Sequence, residues 1–200
     1  ASAALRQGKH VFAEKQLGMD CAQANNLAEL ADQSGLANMV DYIFPELKTW
    51  QLAKKTFDAG KIGELRHVFL DWRMESYDHQ HDIEGWKTDR NLGGGVLNHF
   101  GSHVFYYLEW LFGPISELSA RLLTSHDCRQ TGETLAALSI AFLQGGTATV
   151  SLCNAATMGS GHRIEVSGTK GSLLLENETE NPVEGFELWL GTRKEGVWNL

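Results

Sequence analysis

The chain has 200 residues, room for one or two domains, of which 42% are hydrophobic and 21% charged. Its formal net charge is −8 and no basic run stands out, which argues against nucleic-acid and anionic-membrane partners. No apolar run approaches the ~20 residues that span a bilayer. The three widely spaced cysteines, Cys21, Cys128 and Cys153, fit neither a disulfide framework nor a CxxC metal site, so a reducing, cytoplasmic compartment is expected.

In chain order, Ala1–Gly8 reads as the tail of a helix, with Gly8 as its stop. There is no initiator Met and no signal peptide, and the chain stops at VWNL without a closing signal; an excerpt of a longer protein is expected. His10–Glu14 is a short buried-strand candidate. Asp20 caps a predicted helix to about Gln33, with Ala22, Leu27, Leu30 and Ala31 inward and Gly35 ending it. Leu36–Tyr42 reads as another strand. Strand, helix and strand in so short a span predict a parallel sheet. Pro45 starts a predicted helix over 45–59, closed by Gly60. Gly63–Met74 alternates and carries Val68, Phe69, Leu70 and Trp72, which suits a strand. Ser76–Asn91 is polar and irregular and reads as a loop.

The stretch Gly93–Phe112, GGGVLNHFGSHVFYYLEWLF, carries the candidate chemistry. Leu97, Phe100, Val104, Leu108 and Leu111 recur at helical steps and form one apolar stripe. At ~100° per residue, His99, His103, Tyr106 and Trp110 fall on the opposite face. Two imidazoles and two large aromatics suit a binding face aimed into a cleft; a helix packed on both sides, with core histidines, fits the same periodicity. The glycine run leaves the first turn open to close approach, and unpaired N–H groups there favour an electron-rich ligand. Beyond the helix, strands are predicted over 115–123, 134–143, 147–153, 162–168, 172–176 and 186–191, with hairpin-like breaks at Gln144-Gly145-Gly146 and Thr169-Lys170-Gly171. The expected fold is α/β plus α+β: the end of a parallel sheet in residues 1–43, then a large open, mainly antiparallel sheet in 44–200.

Two segments carry a resemblance. Gly8-Lys9-His10-Val11-Phe12-Ala13-Glu14-Lys15-Gln16-Leu17 resembles the GKHVxxEKPL segment of the Gfo/Idh/MocA family of NAD(P)-dependent oxidoreductases. Gly93-Gly94-Gly95-Val96-Leu97-Asn98-His99-Phe100-Gly101-Ser102-His103 is similar to that family's GGGxLxDxGxH motif. Asp58–Gly63 and Ile164–Leu175 resemble a later turn and hairpin of the family, so the likeness runs across residues 4–177. The resemblance implies a Rossmann-type dinucleotide-binding domain ending near residue 43 and a C-terminal substrate-binding and oligomerisation domain. It also implies NAD or NADP as cofactor, a sugar, cyclitol or related polyol as small-molecule substrate, and a homo-oligomer paired through the C-terminal sheet. The GxGxxG turn that holds the pyrophosphate is absent from these residues, so the excerpt alone is expected to bind dinucleotide poorly and to be inactive.

By the same likeness, His103 occupies the catalytic histidine position, and Lys15 lies beside the nicotinamide and the reacting oxygen, with Glu14 and Gln16 on the cofactor side. The chemistry agrees: alcohol oxidation needs a proton acceptor, and an ammonium can polarise a carbonyl or stabilise an alkoxide. Three positions depart from the pattern. Gln16 replaces Pro, His99 replaces Asp and supplies no negative charge, and Asp41–Pro45 replaces an Arg-Phe-containing segment. His99 is expected to assist His103. Substrate contacts are expected from Tyr42, Trp86, Lys87, Asn98, His99 and His103. Asp78, His79, His81 and Asp82 are metal-ligand types, and His99 and His103 have zinc-site spacing. The HExxH glutamate is missing and the family needs no metal, so none is expected. The rival reading is a catalytically silent sensor that binds a dinucleotide or sugar.

Overall fold

Apolar alternation and glycine-marked turns account for most of the architecture in the computed structural model of the chain, which describes residues 1–125, 131–179, 181–193, 196 and 198–199. Helix α1 (Ser2–Arg6) leads into strand β1 (Val11–Glu14), helix α2 (Cys21–Ser34) and strand β2 (Asn38–Asp41). The Asp20 carboxylate accepts from the Gln23 N–H at 2.8 Å, and Gly35 ends α2 with φ 63°. Each satisfies backbone groups the helix leaves open at its ends. β1 and β2 pair in parallel, Val11 with Asn38 through Glu14 with Asp41, as the β–α–β pattern predicts.

The helix predicted over 45–59 is two pieces. Phe44–Glu46 is a 3-10 turn containing Pro45, and α3 covers Lys48–Asp58. Leu47 between them is extended, with ψ 134°, which no continuous helix allows. The predicted loop over 76–91 contains a short helix, α4 (Tyr77–Gln80), and a 3-10 turn follows at Arg90–Leu92.

The second sheet is built from β3 (Leu65–Arg73), β4 (Ile115–Leu123), β5 (Leu135–Phe142), β6 (Thr147–Cys153), β7 (Gly161–Gly168), β8 (Gly171–Asn177), β9 (Glu187–Thr192) and β10 (Trp198–Asn199). Its order is β10-β9-β8-β7-β3-β6-β5-β4. β3 is parallel to β6, with His67 opposite Thr147, and antiparallel to β7; the hairpins on either side are antiparallel. The sheet is therefore open and mainly antiparallel, as the sequence predicts.

Alternation decides which side chains face inward. Val68, Leu70 and Trp72 of β3, Leu138 and Ile140 of β5, Val150 and Leu152 of β6, and Ile164 and Val166 of β7 are buried on one face. They pack in one core with Trp50 and Ala53 of α3 and with Val104, Tyr107 and Leu108 of helix α5 (Ser102–Phe112). Phe69 points to the other face and is exposed. Among the described residues no helix is long and apolar enough to cross a membrane. Cys21 and Cys153 are free thiols, and Cys128 lies outside the described residues.

Candidate active site

The stretch that carries the candidate chemistry is not one regular helix. Leu97–Gly101 forms a π turn, and α5 continues from Ser102. Phe100, Val104, Leu108 and Leu111 are buried, as their spacing predicts, and so is Tyr107, which the single-stripe pattern leaves out. The four residues expected on one opposite face separate: His99 and His103 turn into a cleft, Tyr106 is exposed and Trp110 packs beside the core. The π turn changes the angular phase ahead of α5, and α5 leaves only Tyr106 and Glu109 exposed.

A π turn also frees backbone groups that an α-helix would use. Here the Lys15 ammonium, directly after β1, donates to the His99 carbonyl at 2.7 Å. The glycines admit close approach, but by the chain itself. A Cβ on Gly94 would stand 2.6 Å from the Trp86 carbonyl oxygen, and one on Gly95 2.4 Å from the Glu133 carboxylate. Glu133 accepts from the Leu97 N–H at 3.1 Å through its side chain and from the Val96 N–H at 2.8 Å through its carbonyl. The electron-rich group at this helix start is thus Glu133, which corrects the expectation of an external ligand there.

The cleft holds about 260 Å³. Lys15 reaches it from just after β1 and Ile43 from just after β2; Phe44, Trp72, Asp78, Lys87, His99 and His103 line the rest. Burial lowers the Lys15 pKa to about 8, helped by the Lys87 charge and opposed by Glu14. Burial, then Lys15 and Lys87, lowers His99 to about 3; burial and Lys15 lower His103 to about 3. Both imidazoles are neutral at pH 7. His103 Nδ1 is buried without a partner, and the ring stands edge-on to Phe44 at 5.2 Å and to Tyr42 at 5.7 Å. Lys87 pairs with Asp78 at 3.6 Å. An amine that gives up its proton near neutral pH therefore shares a confined space with an uncharged imidazole, the makings of proton exchange with a bound hydroxyl.

Lys15, Lys87, His99 and His103 are brought together as predicted candidates. Glu14 is exposed at the end of β1. Gln16 Nε2 donates to the Gly93 carbonyl at 3.1 Å while its Oε1 is buried without a partner, and the Lys15–Gln16 peptide bond is cis. Tyr42 stacks on Tyr106 at 4.2 Å beside the cleft rather than lining it. Trp86 stands outside the lining, half-exposed, with Lys87 Nζ 5.8 Å from its ring centre. Asn98 Nδ2 donates to the Gly93 carbonyl at 2.9 Å and fastens the glycine turn. Asp78 turns to Lys87, and His81 stacks on Tyr77 at 4.0 Å. Among the described residues no group of three His, Cys, Asp or Glu could hold a metal ion. Sequence reasoning missed Phe44 and Trp72 as walls and Glu133 as the helix-start anion. Strand alternation marks Trp72 as buried but not what it faces.

Behind the cleft, His162 Nε2 and the Tyr107 hydroxyl are 2.9 Å apart, both residues buried. Burial holds the His162 pKa down at about 3, with His103 adding to it. An unfolded histidine takes its proton near 6.5, so between these values the unfolded chain binds the extra proton. Stability is therefore expected to fall as pH drops from about 6.5 toward 3. Urea midpoints at pH 7 and pH 5 check this, and His162→Phe should shrink the difference without abolishing it, because His99 and His103 are held down in the same way.

The family model described as GFO/IDH/MocA C-terminal domain matches residues 50–174. An uncharacterized oxidoreductase of Synechocystis sp. is 30% identical, over 94% of this chain and 54% of its own length. Inositol 2-dehydrogenase of Rhizobium meliloti is 25% identical, over 90% of this chain and 53% of its own length. The chain thus spans about half the length of these curated relatives. In structure, the WlbA dehydrogenase of Bordetella pertussis, crystallised with NADH and UDP-GlcNAcA, superposes with a TM-score of 0.83 at 19% identity, covering 96% of this chain and 57% of that one.

Proposed function

The chain belongs to the Gfo/Idh/MocA family, and from that premise we propose that it serves hydride transfer between NAD or NADP and a hydroxyl-bearing or carbonyl carbon of a sugar or polyol. Residues 1–43 belong to the dinucleotide-binding side and 44–200 to the substrate side. The observation that carries the reading is Lys15, with its pKa at about 8, sharing one cleft with neutral His103. The dehydrogenase named among the relatives, and NADH in the WlbA crystals, support the reaction class and cofactor.

The residues present fit a nicotinamide. Lys15 follows the carboxyl end of a parallel strand, where such folds place their ligand crevice. The buried, unpartnered Gln16 Oε1 beside it suits a hydrogen-bond donor on the ligand. When bound, the nicotinamide accepts or gives the hydride. Uncharged Lys15 then takes the substrate hydroxyl proton in oxidation, and the ammonium returns it in reduction. His103, neutral, hydrogen-bonds the same oxygen and fixes its position. His99 contributes its backbone carbonyl, which aims Lys15. Lys87 reaches substrate oxygens from the other wall. The outer face of the sheet, where Phe69 is exposed, is the surface offered to a second copy.

The test is a sugar, cyclitol and sugar-acid screen on the intact protein, followed by NADH and NADPH fluorescence, beside His103→Ala. Losing one positioned hydrogen bond at the reacting oxygen should cost about 10²-fold in kcat while cofactor binding survives. Undiminished turnover in the variant would remove His103 from the site. Cofactor binding without turnover in either protein would mark a sensor.

A further inference from the structure

The cleft adjoins a second, larger space. A hollow of about 490 Å³ shares Trp72, Met74, Tyr77 and Pro182 with it as lining. At about 260 Å³, the cleft itself lies below the ~300 Å³ where ligand pockets usually begin, so it suits a single ring. The hollow differs in chemistry. Its polar lining includes the carboxylates of Glu75 and Glu178 and the amide of Gln80, and no lysine or arginine lines it among the described residues. His162, 2% exposed, also lines it, and its Nδ1 has no partner.

The wall is preformed. Asn177 Nδ2 donates to the carbonyls of Asn181 at 2.7 Å and Glu184 at 3.0 Å, and its Oδ1 accepts from the Thr179 N–H at 2.9 Å. These bonds hold the segment carrying Glu178 and Pro182 before anything binds, which lowers the ordering cost of binding. Thr157 donates to Glu75 Oε1 at 3.1 Å, fixing that carboxylate while its other oxygen keeps its acceptor capacity.

Resting on the oxidoreductase reading, we propose that this hollow is a subsite for an uncharged, hydroxyl-rich group, a second sugar ring joined to the one held in the cleft. Carboxylates accept charge-assisted hydrogen bonds from sugar hydroxyls. A phosphate would instead face Glu75 and Glu178 with no cation among the described lining to offset them. The substrate is thus a glycoside rather than a nucleotide-linked sugar.

The experiment uses the intact protein with its cofactor. It compares a monosaccharide, a disaccharide containing that ring, and the same sugar as its nucleoside-diphosphate ester, in wild type and in Glu178→Lys, at an exposed position. The disaccharide should have a kcat/KM at least about 10-fold above the monosaccharide's, the effect of one hydrogen bond to a charged group. Glu178→Lys should lower the disaccharide's value about 10-fold more than the monosaccharide's and raise the nucleotide sugar's. Equal values for the first two, or a wild-type preference for the nucleotide sugar, would overturn the subsite. If no sugar turns over, calorimetry separates the two ideas. Disaccharide binding weakened about 10-fold by Glu178→Lys upholds the subsite and removes the oxidoreductase reading. Binding absent or unchanged removes the subsite.

Discussion

Replacing Lys15 by Met is expected to lower kcat/KM for alcohol oxidation between about 10² and 10⁴-fold, the usual worth of a positioned acid–base group. The pH profile should change with it. The Lys15 pKa is about 8, so oxidation, which needs the uncharged amine, should rise about tenfold per pH unit up to that point and then level off. Reduction needs the ammonium and should fall above it. In Lys15→Met the inflection near 8 should vanish. Lys15→Arg keeps the charge but cannot lose it, so oxidation should stay low at every pH. His103→Ala should be slower with the inflection in place, because its own pKa of about 3 lies far below. An inflection that survives in Lys15→Met and disappears in His103→Ala would exchange the two roles.

Trp72→Ala should cost about 3–5 kcal/mol of folding stability, measured by urea unfolding. Trp72 is 4% exposed and lies between two parallel rings, Phe100 at 4.3 Å and 7°, and His162 at 4.3 Å and 3°. Phe44 meets its edge at 5.5 Å. Removing the plate leaves both neighbours facing a void that the sheet and α5 cannot close, since each is fixed by its own hydrogen bonds. Trp72→Phe keeps part of the stack and should lose less. Equal stabilities for Trp72→Ala and wild type would mean the stack contributes nothing to the fold. The same side chain lines both hollows, so Trp72→Ala should also raise KM for a single sugar ring.

Most of the fold could be read in advance because its signals are local. Val68, Leu70 and Trp72 alternate with Phe69 and Arg73, and the alternation alone orients β3. Asp20 and Gly35 mark both ends of α2 because capping needs only neighbouring residues. The resemblance placed Lys15 and His103, 88 positions apart in sequence, in one site. The misses share a cause. Leu47 breaks a helix that propensity alone would continue, and the π turn at Leu97–Gly101 shows no period of its own in five residues. Glu133 reaches the glycine turn from two residues ahead of β5, a contact set by how the sheet returns to the helix. Trp86 and Asn98 have the chemistry of substrate contacts, but one stands outside the cleft and the other is spent on Gly93.

The two bonds that leave β1 have a mechanical meaning. Lys15 holds the His99 carbonyl and Gln16 holds the Gly93 carbonyl, so adjacent residues grip the glycine-rich stretch at two points six residues apart, like a two-pin connector. Burial first, and the Lys87 charge second, lower the Lys15 pKa to about 8, so its acidity depends on this contact keeping the amine out of water. Withdrawn into water it would return to an ordinary lysine near 10.5, protonated and inert as a base. In the proposed role, the reactivity of Lys15 is then a property of the contact between the end of β1 and the Leu97–Gly101 turn rather than of either one.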